Sequence, residues 1–72
     1  MDTKVTTIDG FKVTLGEDEG QPNVWVEKGG CCSSLAHVHH CGQIENYDTG
    51  KAITVPESTN DNITAWAEDN GY

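Results

Sequence analysis

The chain has 72 residues, with twelve Asp and Glu against four Lys and no Arg, which gives a formal net charge of −8. This length suits one small domain, and so few cations exclude the basic patch with which nucleic-acid-binding proteins displace counterions from phosphate. The same charge disfavours contact with an anionic membrane surface and favours a basic protein or a metal cation as the partner.

The first predicted element is a β-hairpin around Asp9-Gly10. Val, Thr and Ile dominate the residues before this dipeptide, and apolar and polar residues alternate after it. Asp-Gly suits a type I′ turn, whose two central residues both need positive φ. A two-residue turn sets Ile8 opposite Phe11. Alternation then predicts one apolar face, made of Ile8, Phe11, Val13 and Leu15.

Residues 16–23 are predicted to form a loop, because Gly20 and Pro22 interrupt the strand pattern. A run of like charge needs solvent around it, and this loop is the first candidate for contact with a basic partner. The loop contains the densest run of negative charge in the chain, Glu17, Asp18 and Glu19.

A third strand is predicted over residues 24–27, with Val24 and Val26 on one face. Trp25 has two interpretations. It is either a core residue, which we favour, or an exposed anchor on a binding surface, since Trp is enriched at interface hot spots.

The Gly29-Gly30 pair suits a second tight turn, which predicts a fourth strand after it, with Leu35 opposite Val24. Residues 34–39 alternate in polarity, although the polar positions are not all on one side. In such a strand one face would carry Leu35, His37 and His39.

A further strand pair is predicted within residues 43–55, and its register has two alternatives. A tight two-residue turn sets Ile44 opposite Val55. A three-residue loop with Gly50 in the left-handed conformation sets Ile44 opposite Thr54 instead.

A C-terminal helix is predicted to start at Ser58 or Thr59, where Ser58 and Asp61 resemble a capping box. Asn70-Gly71 ends it, with the glycine in the left-handed conformation. Its apolar stripe consists of Ile63, Trp66 and Ala67. Together these elements predict an α+β fold over residues 1–72. We expect one small domain, with an antiparallel sheet of four to six short strands and one C-terminal helix packed on it.

All three cysteines and all three histidines fall within residues 31–41, and this cluster has three interpretations. The first is a zinc site, although the spacing differs from the paired knuckles of many structural sites. The predicted zinc ligands are Cys32, His37, His39 and Cys41. The second makes the cysteines small buried hydrophobic residues and the histidines surface or partly buried groups. A catalytic Cys–His pair is disfavoured, because sequence neighbours such as His40 and Cys41 rarely meet in dyad geometry.

No apolar run in the sequence approaches the ~20 residues of a membrane-spanning helix. The N-terminal residues also lack the charged and then apolar pattern of a signal peptide. We therefore expect a cytoplasmic protein that makes no membrane contact, with cysteines that stay reduced unless they bind metal.

The sequence thus predicts a small acidic, non-enzymatic protein that docks on a larger basic partner and needs no cofactor. Clustered carboxylates can imitate the charge of a phosphate backbone, so one version is an inhibitor that occludes a nucleic-acid-binding site. The alternative is a zinc-binding module built on residues 31–41. The predicted contact residues are Glu17, Asp18, Glu19, Glu45, Asp48, Glu68 and Asp69.

Overall fold

The computed structural model of the protein describes residues 2–72, which form a six-stranded antiparallel sheet and two helices. The strands lie side by side in chain order. The predicted α+β class, with a C-terminal helix and an antiparallel sheet, is confirmed. The elements are β1 (Lys4–Ile8), β2 (Phe11–Asp18), β3 (Gln21–Lys28), β4 (Cys31–Ser34), α1 (Leu35–Cys41), β5 (Gln43–Asn46), β6 (Lys51–Thr54) and α2 (Glu57–Asp69).

The turn between β1 and β2 has the predicted form. Asp9 and Gly10 have φ values of 51° and 84°, and Ile8 pairs with Phe11. Positive φ at both central residues matches the twist of the turn to that of the strands. The predicted apolar face of this hairpin packs into the core, with Ile8 only partly buried.

The loop predicted over residues 16–23 is wrong, because β2 and β3 continue to a second tight turn at Glu19-Gly20. The φ values of 51° for Glu19 and 79° for Gly20 repeat the type I′ pattern. Pro22 is tolerated near the start of β3 because β4 first pairs with that strand at Trp25. A backbone N–H at residue 22 would point away from β2, towards a side of β3 where no strand lies, so the proline removes no hydrogen bond from the sheet.

The predicted strand over residues 34–39 is also wrong. β4 pairs with β3 in the predicted register, but the chain then turns into α1. The Ser34 side chain caps this helix by accepting a hydrogen bond from the His37 N–H at 3.2 Å. Gly42, with a φ of 69°, ends the helix, and its N–H donates a hydrogen bond to the Val38 carbonyl oxygen at 2.8 Å. A serine cap and a left-handed glycine outweigh the strand-like alternation between them.

Both predicted registers for the β5–β6 pair are wrong, since Ile44 lies opposite Ile53. The turn between these strands is longer than either alternative and spans residues 47–50. The Asn46 side-chain oxygen holds it by accepting hydrogen bonds from two backbone N–H groups of the turn, at 3.0 and 3.3 Å. Such an Asx-type turn competes with a tight hairpin at the glycine.

α2 begins earlier than predicted, at Glu57, and no side-chain cap bond forms at its N-terminus. The capping box predicted from Ser58 and Asp61 is therefore wrong. Pro56 precedes the first turn with a φ of −57°, which already suits a helix start. The C-terminus of α2 is as predicted. Gly71 has a φ of 103°, and the Tyr72 N–H donates a hydrogen bond to the Ala67 carbonyl oxygen at 2.9 Å.

Both helices pack on one face of the sheet, and the core lies between them and the strands. The opposite face, which no helix of residues 2–72 covers, is called the open face. Trp25 is half-buried there beside Gly16, where an added Cβ would lie 3.5 Å from the indole ring. Trp25 is thus neither a core residue nor a fully exposed anchor. The buried apolar residues are Phe11, Val13, Leu15, Val24, Val26, Cys31, Leu35, Val38, Ile44, Val55, Ile63 and Ala67.

The packing of α2 depends more on Ile63 than on Trp66, because Ile63 is fully buried and Trp66 only partly so. We predict that Ile63→Ala lowers the free energy of unfolding by about 2–5 kcal/mol through the cavity it leaves. Trp66→Ala should cost less than the about 3–5 kcal/mol of a fully buried Trp. Urea unfolding measures both changes. The exposed Asn62→Ala variant is the control, expected within about 0.5 kcal/mol of the wild type. A silent Ile63→Ala variant would contradict this packing.

Candidate functional site

Five of the predicted contact residues lie at one end of the sheet. β2 and β3 meet there in the Glu19-Gly20 turn. α2 ends there too, because the Nζ of Lys4, at the start of β1, lies 3.4 Å from the Asn70 carbonyl oxygen. Lys4 itself pairs with Leu15, shortly before the acidic run of β2. These five exposed residues are called the acidic end: Glu17, Asp18, Glu19, Glu68 and Asp69.

The acidic end gathers charge where the local structure disfavours it. Glu68 and Asp69 occupy the last turn of α2, whose negative dipole end repels carboxylates. No basic residue lies in that turn, and the Lys4 Nζ from β1, 3.4 Å from the Asn70 carbonyl oxygen, offsets only part of this repulsion. Glu19 has a φ of 51°, a left-handed conformation that costs an ordinary residue about 1–2 kcal/mol. Neighbouring carboxylates also repel one another. Residues that cost stability in this way are expected at binding surfaces rather than at structural positions.

Glu45 and Asp48 lie outside the acidic end. Asp48 is exposed in the β5–β6 turn at the other end of the sheet, and Glu45 lies on β5, opposite Cys32. The Glu45 Oε1 is 3.2 Å from the His37 Nε2, and each of these side chains is 29% exposed. The charge of Glu45 raises the pKa of the nearby Tyr47 hydroxyl. Glu45 therefore has an intramolecular contact, between β5 and α1, that no local sequence pattern indicated.

The Cys/His cluster does not converge on one point. His37 faces Glu45 on β5, whereas the His39 Nε2 lies 3.5 Å from the Thr64 Oγ1 on α2. Residues two apart on a helix do not face each other. The helical conformation of α1 therefore separates two predicted zinc ligands that a strand would have placed on one face.

The three cysteines are free and lie in different environments. Cys31 is buried, with its Sγ 3.7 Å from the Lys51 carbonyl oxygen, whereas Cys32 and Cys41 are exposed. The interpretation of the cysteines as buried hydrophobic residues thus holds for Cys31 and is wrong for the other two. Partial desolvation and then the charge of Glu27 raise the pKa of the Cys32 thiol, which disfavours the nucleophilic thiolate.

The predicted zinc site is not preformed. Within residues 2–72, no group of three or more His, Cys, Asp or Glu side chains is arranged to hold a metal ion. Zinc binding by Cys32, His37, His39 and Cys41 stays a prediction from composition, and it would require these side chains to move towards one another.

Comparison with protein-family models, with curated proteins and with solved structures finds no match to this chain. No helix formed by residues 2–72 is both long and apolar enough to cross a bilayer. The same residues enclose no pocket. The surface is distinguished by its charge distribution and by the edges of its sheet.

Metal removal tests the zinc alternative. We predict that a chelator leaves the thermal unfolding midpoint unchanged, because structural zinc stabilises a fold only through converging ligands, and α1 directs His37 and His39 apart. His39→Ala should stay within about 0.5 kcal/mol of the wild type, since this residue is exposed. The protein is purified without a metal-affinity tag. A chelator-dependent melt, with zinc detected by native mass spectrometry, would instead support the zinc module.

The left-handed conformation of Glu19 allows a test of whether the acidic end lowers the free energy of unfolding. Asn adopts this conformation more readily than Glu, so we predict that Glu19→Asn raises the free energy of unfolding by up to about 1 kcal/mol. Glu19→Gln removes the same charge but keeps the unfavourable φ, so it should stabilise less. Urea unfolding at low and high salt separates the two effects. Equal stability of the Asn and Gln variants would show that conformation contributes nothing.

Proposed function

We propose that this protein is a small acidic, non-enzymatic docking module that binds a larger basic protein in the cytoplasm. The observation that carries the proposal is the gathering of residues 17–19 and 68–69 at one end of the sheet. Lys4 also lies at this end, so the five carboxylates there outnumber one lysine. The other lysines lie on other parts of the surface. Lys12 pairs with Glu27 at 3.5 Å on the open face, and the Lys28 Nζ lies 4.8 Å from the centre of the Phe11 ring.

The chemistry of the acidic end supports a nucleic-acid-binding protein as the partner. A concentrated negative surface attracts a basic partner at long range and orients it on approach. Carboxylates on a rigid hairpin and a helix end can occupy positions that phosphates take on a nucleic acid. Occupying a basic groove in this way would block the nucleic acid by direct competition, so the concrete form of the proposal is an inhibitor.

The environment of the cysteines supports the cytoplasmic part of the proposal. All three thiols are free, and two of them are exposed. Exposed free thiols persist in the reducing cytoplasm, whereas oxidising compartments convert them to disulfides.

The proposal predicts binding that depends on salt and on the acidic end. Core histones serve as the first basic probe, with surface plasmon resonance to measure the rates. We expect replacement of Glu17, Asp18 and Glu19 by Lys to lower the association rate constant at least about tenfold, because exposed charges act mainly on the encounter. Raising the salt concentration should weaken wild-type binding, and double-stranded DNA should compete with it.

A matched control separates position from net charge. Replacing Glu68 and Asp69 by Lys reverses two charges of the acidic end. Replacing the exposed Glu57 and Asp61 on the same helix by Lys is the matched control, so each of these two variants carries −4 instead of −8. The control should bind faster than the variant of the acidic end. An equal fall of the association rate constant in both variants would show that binding depends only on net charge. Binding that is indifferent to salt and to both reversals would contradict acidic docking.

A further inference from the structure

β1 is an edge strand whose outer side pairs with no strand of residues 2–72. It pairs with β2 along all of Lys4–Ile8. Edge strands present backbone N–H and C=O groups to other chains, and natural proteins protect such edges with proline, bulges, charged residues or short length. β1 has five residues, no proline and an uninterrupted register.

The alternation of the ladder identifies the exposed backbone groups. The residues that flank a two-residue turn form a hydrogen-bonded pair, which here is Ile8 with Phe11. Every second residue of β1 counted back from Ile8 then also bonds to β2. The N–H and C=O groups of Val5 and Thr7 therefore point away from the sheet, and Thr3 continues the same alternation.

The outward-facing residues Thr3, Val5 and Thr7 form a symmetric pattern, with a threonine on either side of the valine. By alternation they lie on the open face, where Val5 is 57% exposed. If a second copy pairs antiparallel about Val5, each Thr3 lies opposite Thr7 of the other copy, and Val5 lies opposite Val5. Thr–Thr and apolar cross-strand pairs are favourable, and the outward backbone groups of all three residues gain partners.

The other edge of the sheet is protected in ways that β1 is not. β6 has only four residues, begins with Lys51 and is followed closely by Pro56. β1 also begins with a lysine, but the Lys4 Nζ lies 3.4 Å from the Asn70 carbonyl oxygen. This charge is therefore directed towards α2 and does not guard the edge.

We propose that the β1 edge is a self-association surface, on which a second copy pairs antiparallel about a twofold axis at Val5. The contact is isologous, because both copies contribute the same residues. One strand pair buries little area, so the dimer is weak and forms at high protein concentration. Each copy carries a charge of −8, so the copies repel each other and added salt strengthens the association.

Sedimentation velocity over a concentration series, at low and high salt, tests this proposal. We expect Val5→Lys to abolish self-association, because two ammonium groups then face each other across the axis, and Val5→Glu to abolish it likewise. Mixing the two variants in equal amounts should restore a heterodimer, detected by native mass spectrometry, because unlike charges then meet. The matched control is Thr54→Lys on β6, which should leave self-association unchanged.

A chain that stays monomeric at every concentration and salt concentration overturns the proposal. So does self-association that survives both Val5 variants, provided circular dichroism shows them folded. If the mixture of Val5→Lys and Val5→Glu forms no heterodimer, a twofold axis at Val5 is excluded. If Val5→Lys impaired histone binding and left self-association intact, the β1 edge would be a binding surface for another protein and not for a second copy. Salt weakens docking at the acidic end and strengthens self-association, so failure of one proposal is distinguishable from failure of the other.

Discussion

Burial of one sheet face beneath α1 and α2 is the constraint on which the other features of the molecule depend. A chain of 72 residues with 35% hydrophobic composition has enough apolar side chains for one core layer. Val13, Val24 and Val26 on β2 and β3 are fully buried in that layer, to which both helices also contribute buried residues. The open face, the sheet edges and the helix ends are left to solvent. The excess of carboxylates can therefore be accommodated only around the core, and five of them gather at one end.

Elements of the fold could be predicted from the sequence where a short pattern has few competing conformations. Asp9-Gly10 indicated a type I′ turn, and Gly71 indicated a left-handed helix end, because both sites need φ values that few residues adopt. The Glu19-Gly20 turn was missed because Glu seldom occupies that conformation. There the continuous pairing of β2 with β3 stabilises the turn and compensates for the local strain. The β5–β6 register depended on side-chain bonds from Asn46, which residue spacing alone does not reveal.

The candidate sites were predictable only as far as they are local in sequence. The run at residues 17–19 is visible as a charge pattern, but the placement of residues 68–69 at the same end of the sheet depends on α2 ending beside Lys4, at the start of β1. The Cys/His cluster shows the opposite effect. Closeness in sequence suggests that these side chains meet, but α1 turns His37 towards β5 and His39 towards α2. The strand prediction failed because Ser34 and Gly42 stabilise a helix across the same residues.

The two proposed surfaces are coupled through the net charge of the molecule. The carboxylates that attract a basic partner are among those that make two copies repel each other, since every charge contributes to the −8 of each copy. A basic protein bound at the acidic end neutralises part of that charge and lowers the repulsion between β1 edges. By linkage, pairing at β1 must then raise the affinity of the acidic end for the partner by the same factor. This coupling is electrostatic, so it must weaken as salt screens the charges, whereas coupling through a change of conformation would persist.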